Sequence, residues 1–139
     1  MSGDWKMKRI HRAGEATRQS PDGIASKLFW VEMLAEGAGD SELGAMRATL
    51  EPGTVTRWHT HPRGQILYAL SGVGLAQRDG GEIEELRAGD CITFAADERH
   101  WHGSAPTSTF AYISIQGARD GSAVTWLEPV NRNRQEEIS

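Results

Sequence analysis

Three histidines and one glutamine stand at a spacing that a small β-barrel can gather around a single metal ion. His59 and His61 are two residues apart, and residues i and i+2 of a strand point to the same face. Gln65 follows a turn at residues 62–64 and opens the next apolar strand. His100 comes later in the chain, on a strand that a barrel can place across its lumen. Because imidazole nitrogens and an amide oxygen are suitable ligands, the sequence predicts a divalent transition-metal site at these four residues.

A second His-x-His pair places His102 beside His100 on one strand face. Trp58 and Trp101 alternate with the histidines, so we expect them to point to the opposite face and pack there. This arrangement argues against the alternative that both histidine pairs lie on solvent-facing strands. His102 is then free to act as a base, an acid or a hydrogen-bond donor, and an exchange of roles with His100 stays open.

Two further strands supply candidate walls for the cavity. Residues 110–116 alternate, and one face carries the polar side chains Tyr112, Ser114 and Gln116. We expect this face to line the lumen; the alternative is that it is the solvent face of an edge strand. On residues 43–50, Met46 and Ala48 share a face and would narrow the pocket if that face is turned inward.

Composition and charge narrow the class of protein. The chain has 139 residues, 38% hydrophobic and 24% charged, which is typical of one globular domain. The net charge of −4 gives no reason to expect nucleic acid, and no apolar run is long enough to predict a membrane span. The first 14 residues lack the apolar stretch of a secretory signal, and one cysteine rules out an internal disulfide, so we expect a cytoplasmic protein. Cys91, in a strand-like stretch, is expected to be buried.

The distribution of turn residues predicts an all-β fold. Sixteen glycines and five prolines separate short apolar segments, and no long segment with a helical period appears. Turns are expected at residues 71–72, 79–81 and 88–90. Strands are expected at 27–34, 43–50, 54–61, 65–70, 73–78, 82–86, 91–95, 100–102, 110–116 and 124–128. We divide the chain into an N-terminal arm at 1–26, which can reach another subunit, a barrel at 27–129 and a tail at 130–139. The arm and residues 28–34 offer an edge for exchange, which predicts a homodimer or a homotetramer.

The spacing of the motif residues resembles that of the cupin superfamily. The first motif is matched by Gly53, His59, His61, Gln65 and Gly72, and the second by residues 89–104. Gln65 stands where glutamate is usual, Ala95 and Asp97 stand where proline and glycine are usual, and Ser104 stands where asparagine is usual. The resemblance implies a single-domain jelly-roll barrel with antiparallel sheets.

A closer resemblance joins residues 59–107 to bacterial manganese-dependent cupin-type hydroxynitrile lyases. Shared features are the runs HTHPRGQ and HWHGSAPT and a late Ile-Gln pair. The resemblance implies that His59, His61, Gln65 and His100 hold Mn, and that the reaction is the reversible cleavage of aromatic cyanohydrins to an aldehyde and cyanide. A histidine implicated in that chemistry is replaced here by Tyr112, whose ordinary pKa near 10 makes it a poor base.

Several functions for a small-molecule substrate follow from these observations. The first is a lyase in which the metal binds the substrate hydroxyl, His102 accepts the proton with Tyr112 orienting it, and Gln116 holds the leaving cyanide. The alternatives are a dioxygenase with Fe or Ni in the same site, a non-enzymatic ligand-binding protein, and an isomerase. Gln65 in place of a carboxylate leaves the site at +2, which attracts an anion or a developing alkoxide. We order the candidate metals as Mn, then Fe, then Ni or Zn.

Overall fold

The described part of the chain is built from ten β-strands. The computed structural model describes residues 10–37 and 39–131, and within these ranges it contains no helix long and apolar enough to cross a bilayer. The strands are Thr17–Gln19 (β1), Trp30–Ala35 (β2), Leu43–Leu50 (β3), His59–Thr60 (β4), Gln65–Arg78 (β5), Ile83–Arg87 (β6), Cys91–Phe94 (β7), His100–Ser104 (β8), Phe110–Gly117 (β9) and Thr125–Trp126 (β10). All strand pairs are antiparallel, which confirms the predicted all-β class.

The long strand β5 belongs to both halves of the barrel. Its first half pairs with β9 and β7, and β9 continues through β3 and β2 to β1. Its second half pairs with β6 and β8, and β8 continues through β4 to β10. The main hydrophobic core takes side chains from both halves, with Val31, Leu50 and Leu67 from the first and Ala76 and Leu86 from the second. The two sheets therefore pack against each other over this main core.

The turn expected at residues 71–72 is wrong, because β5 passes through it without a break. The register against β9 shifts between Ala69 and Ser71, which is a β-bulge. Gly72 has φ 76, and a Cβ there would lie 1.9 Å from the backbone oxygen of Thr109. Glycine is required here by the left-handed backbone and by the close approach of β9. The bulge bends β5 from one sheet into the other.

The other two turns are confirmed. Gly80 has φ 80 in the hairpin between β5 and β6, and Gly89 has φ 93 between β6 and β7. The strand expected at 54–61 is shorter, since only His59–Thr60 form a strand and Val55 makes an isolated bridge to Gly103.

Both ends of the chain extend beyond the described residues. Within the expected arm at 1–26, β1 pairs with β2 of the same chain, while residues 1–9 and 132–139 lie outside the described residues.

The expectation that Cys91 is buried is wrong. Cys91 is exposed and pairs across the sheet with Tyr68, which is also exposed.

Strand β8 separates two cores. His100 and His102 point to one side, and the fully buried Trp101 packs on the other side with Val55 and Leu75. The Trp101 indole nitrogen donates to Gln77 Oε1 at 2.8 Å, so its polar atom is satisfied. A shift by one residue would exchange the tryptophan with the histidines, so burial on both faces fixes the register of β8.

Candidate metal centre

Three imidazoles meet inside the barrel. His59 and His100 are opposite each other on β4 and β8, and His61 follows directly after β4. One ligand nitrogen from each lies within 4.8 Å of the others. The exposed fraction is 0% for His59 and His100 and 5% for His61. These three histidines form a group that could hold a metal ion.

Backbone carbonyls fix the orientation of all three rings. The Nδ1 atoms of His59, His61 and His100 lie 2.8, 2.7 and 2.8 Å from carbonyl oxygens of Arg57, Ala123 and Glu98, respectively. Since a carbonyl oxygen only accepts, each Nδ1 carries the hydrogen and each Nε2 of a neutral ring keeps its lone pair. His59 Nε2 and His61 Nε2 are buried and have no hydrogen-bond partner among the described residues. This is the arrangement that ring-orienting partners give to metal-binding histidines.

Gln65 places an amide oxygen beside His100. Its Oε1 lies 2.9 Å from His100 Nε2, and its exposed fraction is 4%. His100 therefore lies between two carbonyl oxygens, those of Gln65 and Glu98, although a neutral imidazole has only one hydrogen. At one of its two nitrogens, the lone pair of the His100 ring must therefore face a carbonyl oxygen with no proton between them. A cation that accepts both lone pairs removes this repulsion.

Protonation of the imidazoles does not provide that cation at neutral pH. Burial lowers the pKa of His59 well below its ordinary value, lowers that of His61, and lowers that of His100 to about 4. The rings are therefore neutral and available as ligands at pH 7. Three imidazole nitrogens and one amide oxygen fit a divalent transition metal.

The loop before β8 holds His100 in place. The Glu98 carboxylate accepts from the Ala95 backbone nitrogen at 2.8 Å and from Arg78 at 2.7 Å. Asp97, at the position where glycine is usual in the second motif, has φ 61, a region that aspartate tolerates better than most residues. Phe94 stacks on the His100 ring with centroids 3.6 Å apart.

His102 and Tyr112 form a second buried pair. His102 Nε2 lies 2.9 Å from the Tyr112 hydroxyl, and the two rings are nearly perpendicular. His102 Nδ1 is buried without a partner among the described residues. Burial lowers the pKa of His102 and raises that of Tyr112, so both groups are neutral at pH 7.

A cavity of about 250 Å³ opens onto His59 and His61, whereas His100 is not among its lining residues. Seven of the site residues predicted from the sequence line this cavity. They are the polar residues His59, His61, Gln65, His102, Tyr112 and Gln116, and the apolar Met46. Ala48 and Ser114 are not among the lining residues. Ala48 is fully buried in the main core, and Ser114 is fully buried behind Gln65 and Gln116. Tyr112 and Ser114 have exposed fractions of 0%, so their face of β9 is not a solvent face.

A larger groove of about 420 Å³, lined by Trp58 and Trp101, contains none of the histidines.

Sequence reasoning missed several groups around the site. The carbonyl of Ala123 orients His61, and Trp126 packs 4.7 Å from the His59 ring. Phe29 and Val31 supply apolar wall from β2 and the segment before it. No motif signals a carbonyl contact made from a distant loop, because every residue type carries one.

Comparisons with known proteins agree with this architecture. The cupin-domain family matches residues 46–115. The chain is 39% identical over 122 residues to the (R)-mandelonitrile lyase of Granulicella tundricola, covering 87% of this chain and 93% of that protein. The chain belongs to the cupin family.

Solved structures extend the likeness over nearly the whole chain. A cupin-like protein of Thermotoga maritima superposes with a TM-score of 0.82 at 28% identity, covering 93% of this chain and 98% of that one. A polyketide cyclase of Streptomyces resistomycificus superposes with a TM-score of 0.70 at 20% identity, covering 90% and 88%, and shows the shared fold alone.

Proposed function

We propose that this protein is a manganese-dependent lyase that cleaves an α-hydroxynitrile to a carbonyl compound and cyanide. The observation that carries the proposal is the pair of unprotonated acceptors at His100 and Gln65, which calls for a cation in a cavity of small-molecule size. The 39% identity to an (R)-mandelonitrile lyase supports the choice of reaction and of an aromatic substrate. The resemblance found in the sequence supports manganese. A cytoplasmic location is part of the same proposal, since a lone cysteine suits a reducing compartment.

A bound divalent cation supplies Lewis acidity to the substrate oxygen. His102 accepts the hydroxyl proton, because it lines the cavity, is neutral and has an unpartnered Nδ1. For Nδ1 to accept a proton, His102 Nε2 carries the ring hydrogen and donates it to the Tyr112 oxygen, which holds the ring in one orientation. As the C–CN bond breaks, its electron pair leaves with cyanide and the oxygen lone pair forms the carbonyl. Gln116 lines the cavity and can donate an N–H to the departing cyanide.

The cavity also determines the shape of the substrate. Its walls include Ile24, Phe29, Val31, Met33, Val124 and Trp126, which are apolar. About 250 Å³ is close to the lower end of the range for small-molecule sites. An aromatic ring with a short polar head therefore suits it.

The test is cyanide release from (R)- and (S)-mandelonitrile by protein loaded with Mn(II), measured in an acidic buffer that suppresses the uncatalysed reaction. We expect release above the buffer rate from the wild-type protein and from a His11→Ala control, whose changed residue lies outside the cavity lining. We expect none above the buffer rate from His102→Asn. An inactive, fully loaded wild-type protein would overturn the lyase proposal. Substrate-dependent oxygen uptake by the Fe(II) form would instead identify a dioxygenase.

A further inference from the structure

One hydroxyl connects two side-chain amides behind the cavity wall. Ser114 lies on β9 between Gln65 on β5 and Gln116 on its own strand. Gln65 Nε2 donates to Ser114 Oγ at 2.9 Å, and the Ser114 hydroxyl donates to Gln116 Oε1. Gln65 Nε2 also lies 3.4 Å from Gln116 Oε1.

We propose that Ser114 is a positioning residue that couples the orientations of these two amides. The inference rests on the proposed function, since it assumes that the histidine cluster holds a divalent cation. A buried hydroxyl must donate its one hydrogen, so with two amides as its partners it donates to one and accepts from the other. One amide must therefore present its NH₂ group to Ser114 and the other its oxygen. The group that each amide turns away from Ser114 is then also opposite in the two residues.

The coupling has a consequence at each end. Gln65 gives its N–H groups to Ser114 and Gln116, so its oxygen is turned toward His100 and the ligand nitrogens. Gln116 uses its oxygen to accept from Ser114, so its NH₂ group is the end left for the cavity that it lines. A cation on Gln65 Oε1 thus selects a cavity wall that donates hydrogen bonds. The ligand atom beside Gln116 is then an acceptor or an anion, such as a nitrile nitrogen or cyanide.

Within the described ranges, the Ser114 hydroxyl has no hydrogen-bond partner other than the two amides. Its exposed fraction is 0%, and its cross-strand neighbours are Met46 and Leu67, which are apolar. Both described hydrogen bonds of the side chain go to the two amides. A buried hydroxyl in this position is costly unless it is bonded, so its partners are fixed.

Loss of the hydroxyl releases Gln65. In Ser114→Ala, the Gln65 NH₂ group keeps only the 3.4 Å contact to Gln116. The amide can then turn over and donate to the neutral His100 Nε2, which puts a donor where a ligand oxygen is needed. In Gln116→Leu, the Ser114 hydroxyl loses its acceptor and can donate to a reversed Gln65 oxygen, so this change also favours the reversed amide.

The experiment is calorimetric titration of metal-stripped, folded protein with Mn(II), without substrate. The variants are Ser114→Ala, Gln116→Leu and the double variant. The matched control is Ser104→Ala, because Ser104 is also fully buried but its hydroxyl bonds to backbone groups of residues 51 and 54. We expect Ser114→Ala to raise the Mn(II) dissociation constant about 10- to 100-fold, as loss of a ligand-orienting partner does. We expect Gln116→Leu to raise it by a smaller factor, and the double variant to raise it by less than the product of the two single effects.

A spectroscopic readout separates positioning from general destabilisation. The Mn(II) electron paramagnetic resonance spectrum should change in Ser114→Ala and stay as in the wild type in Ser104→Ala. If Ser114→Ala does not fold, Ser114→Cys keeps the size with a weaker donor and should give an intermediate loss of affinity.

Two results would overturn the coupling and leave the lyase proposal standing. The first is wild-type affinity for Mn(II) in Ser114→Ala, or in Ser114→Cys where the alanine variant does not fold. The second is a double variant in which the effects of the two changes multiply. Absence of Mn(II) binding by the wild type would overturn both.

Discussion

His100 Nε2 and Gln65 Oε1 face each other across 2.9 Å, while the other nitrogen of the same ring is already used by the Glu98 carbonyl. An imidazole held between two carbonyl oxygens at neutral pH lacks one proton for full hydrogen bonding. Burial keeps that proton away by lowering the pKa of His100 to about 4. A metal cation could accept both lone pairs in place of the missing proton.

Removal of one imidazole should abolish stable metal binding. In His59→Ala, the site loses a ligand whose Nε2 is buried and unpartnered among the described residues. We expect the metal content after dialysis to fall from about one ion per chain to a small fraction, measured by elemental analysis. His11→Ala is the matched control, because His11 pairs with Glu32 and does not line the cavity. Equal metal content in both variants would contradict the assignment of His59.

The Tyr112 hydroxyl should matter for turnover and not for metal retention. Tyr112→Phe removes the partner of His102 Nε2, so the ring can take other orientations. We expect kcat to fall about tenfold, less than the roughly 100-fold or more that loss of a general base gives, because Tyr112 acts through His102. Metal content should stay as in the wild type. A variant with unchanged kcat would show that Tyr112 does not orient the base.

The metal-free protein should lose stability in mild acid. The pKa of His100 falls from 6.5 in the unfolded chain to about 4 in the folded protein, and those of His59, His61 and His102 are also lowered. The unfolded state then binds protons first, so stability is complete above pH 6.5 and declines as the pH falls toward 4. Each such histidine contributes a slope of up to about 1.4 kcal/mol per pH unit.

Urea unfolding in the presence of a chelator, at pH 7 and pH 5, measures this loss. His100→Asn should reduce the difference between the two pH values, because it removes one of the titrating groups. A free energy of unfolding that does not change between pH 7 and pH 5 would be inconsistent with neutral buried histidines.

The expected homodimer can be tested at the outer face of the barrel. Trp30, Ile66 and Tyr68 are apolar or aromatic residues with exposed fractions of 54%, 40% and 44%. We expect light scattering to give a mass of two or four chains, and Tyr68→Glu to reduce it, because a charge is costly in an apolar interface. A monomeric mass for the wild-type protein would contradict the expectation.

The histidine cluster was predictable, and its supports were not. Strand alternation and the motif spacing brought His59, His61 and His100 together, because those signals are local and strong. The Ala123 carbonyl that orients His61 comes from a loop 62 residues away, and no side-chain pattern marks it. Ser71 and Gly72 predict a turn, yet pairing with β9 keeps β5 continuous through a bulge. Local turn preference was overridden there by long-range pairing.

Titration of the metal-stripped wild-type protein with Mn(II) tests most directly whether three imidazoles and one amide hold a single divalent cation. We expect saturable binding of one ion per chain, with no second class of sites of similar affinity. A folded protein that shows no saturable binding of Mn(II), Fe(II), Ni(II) or Zn(II) would contradict it.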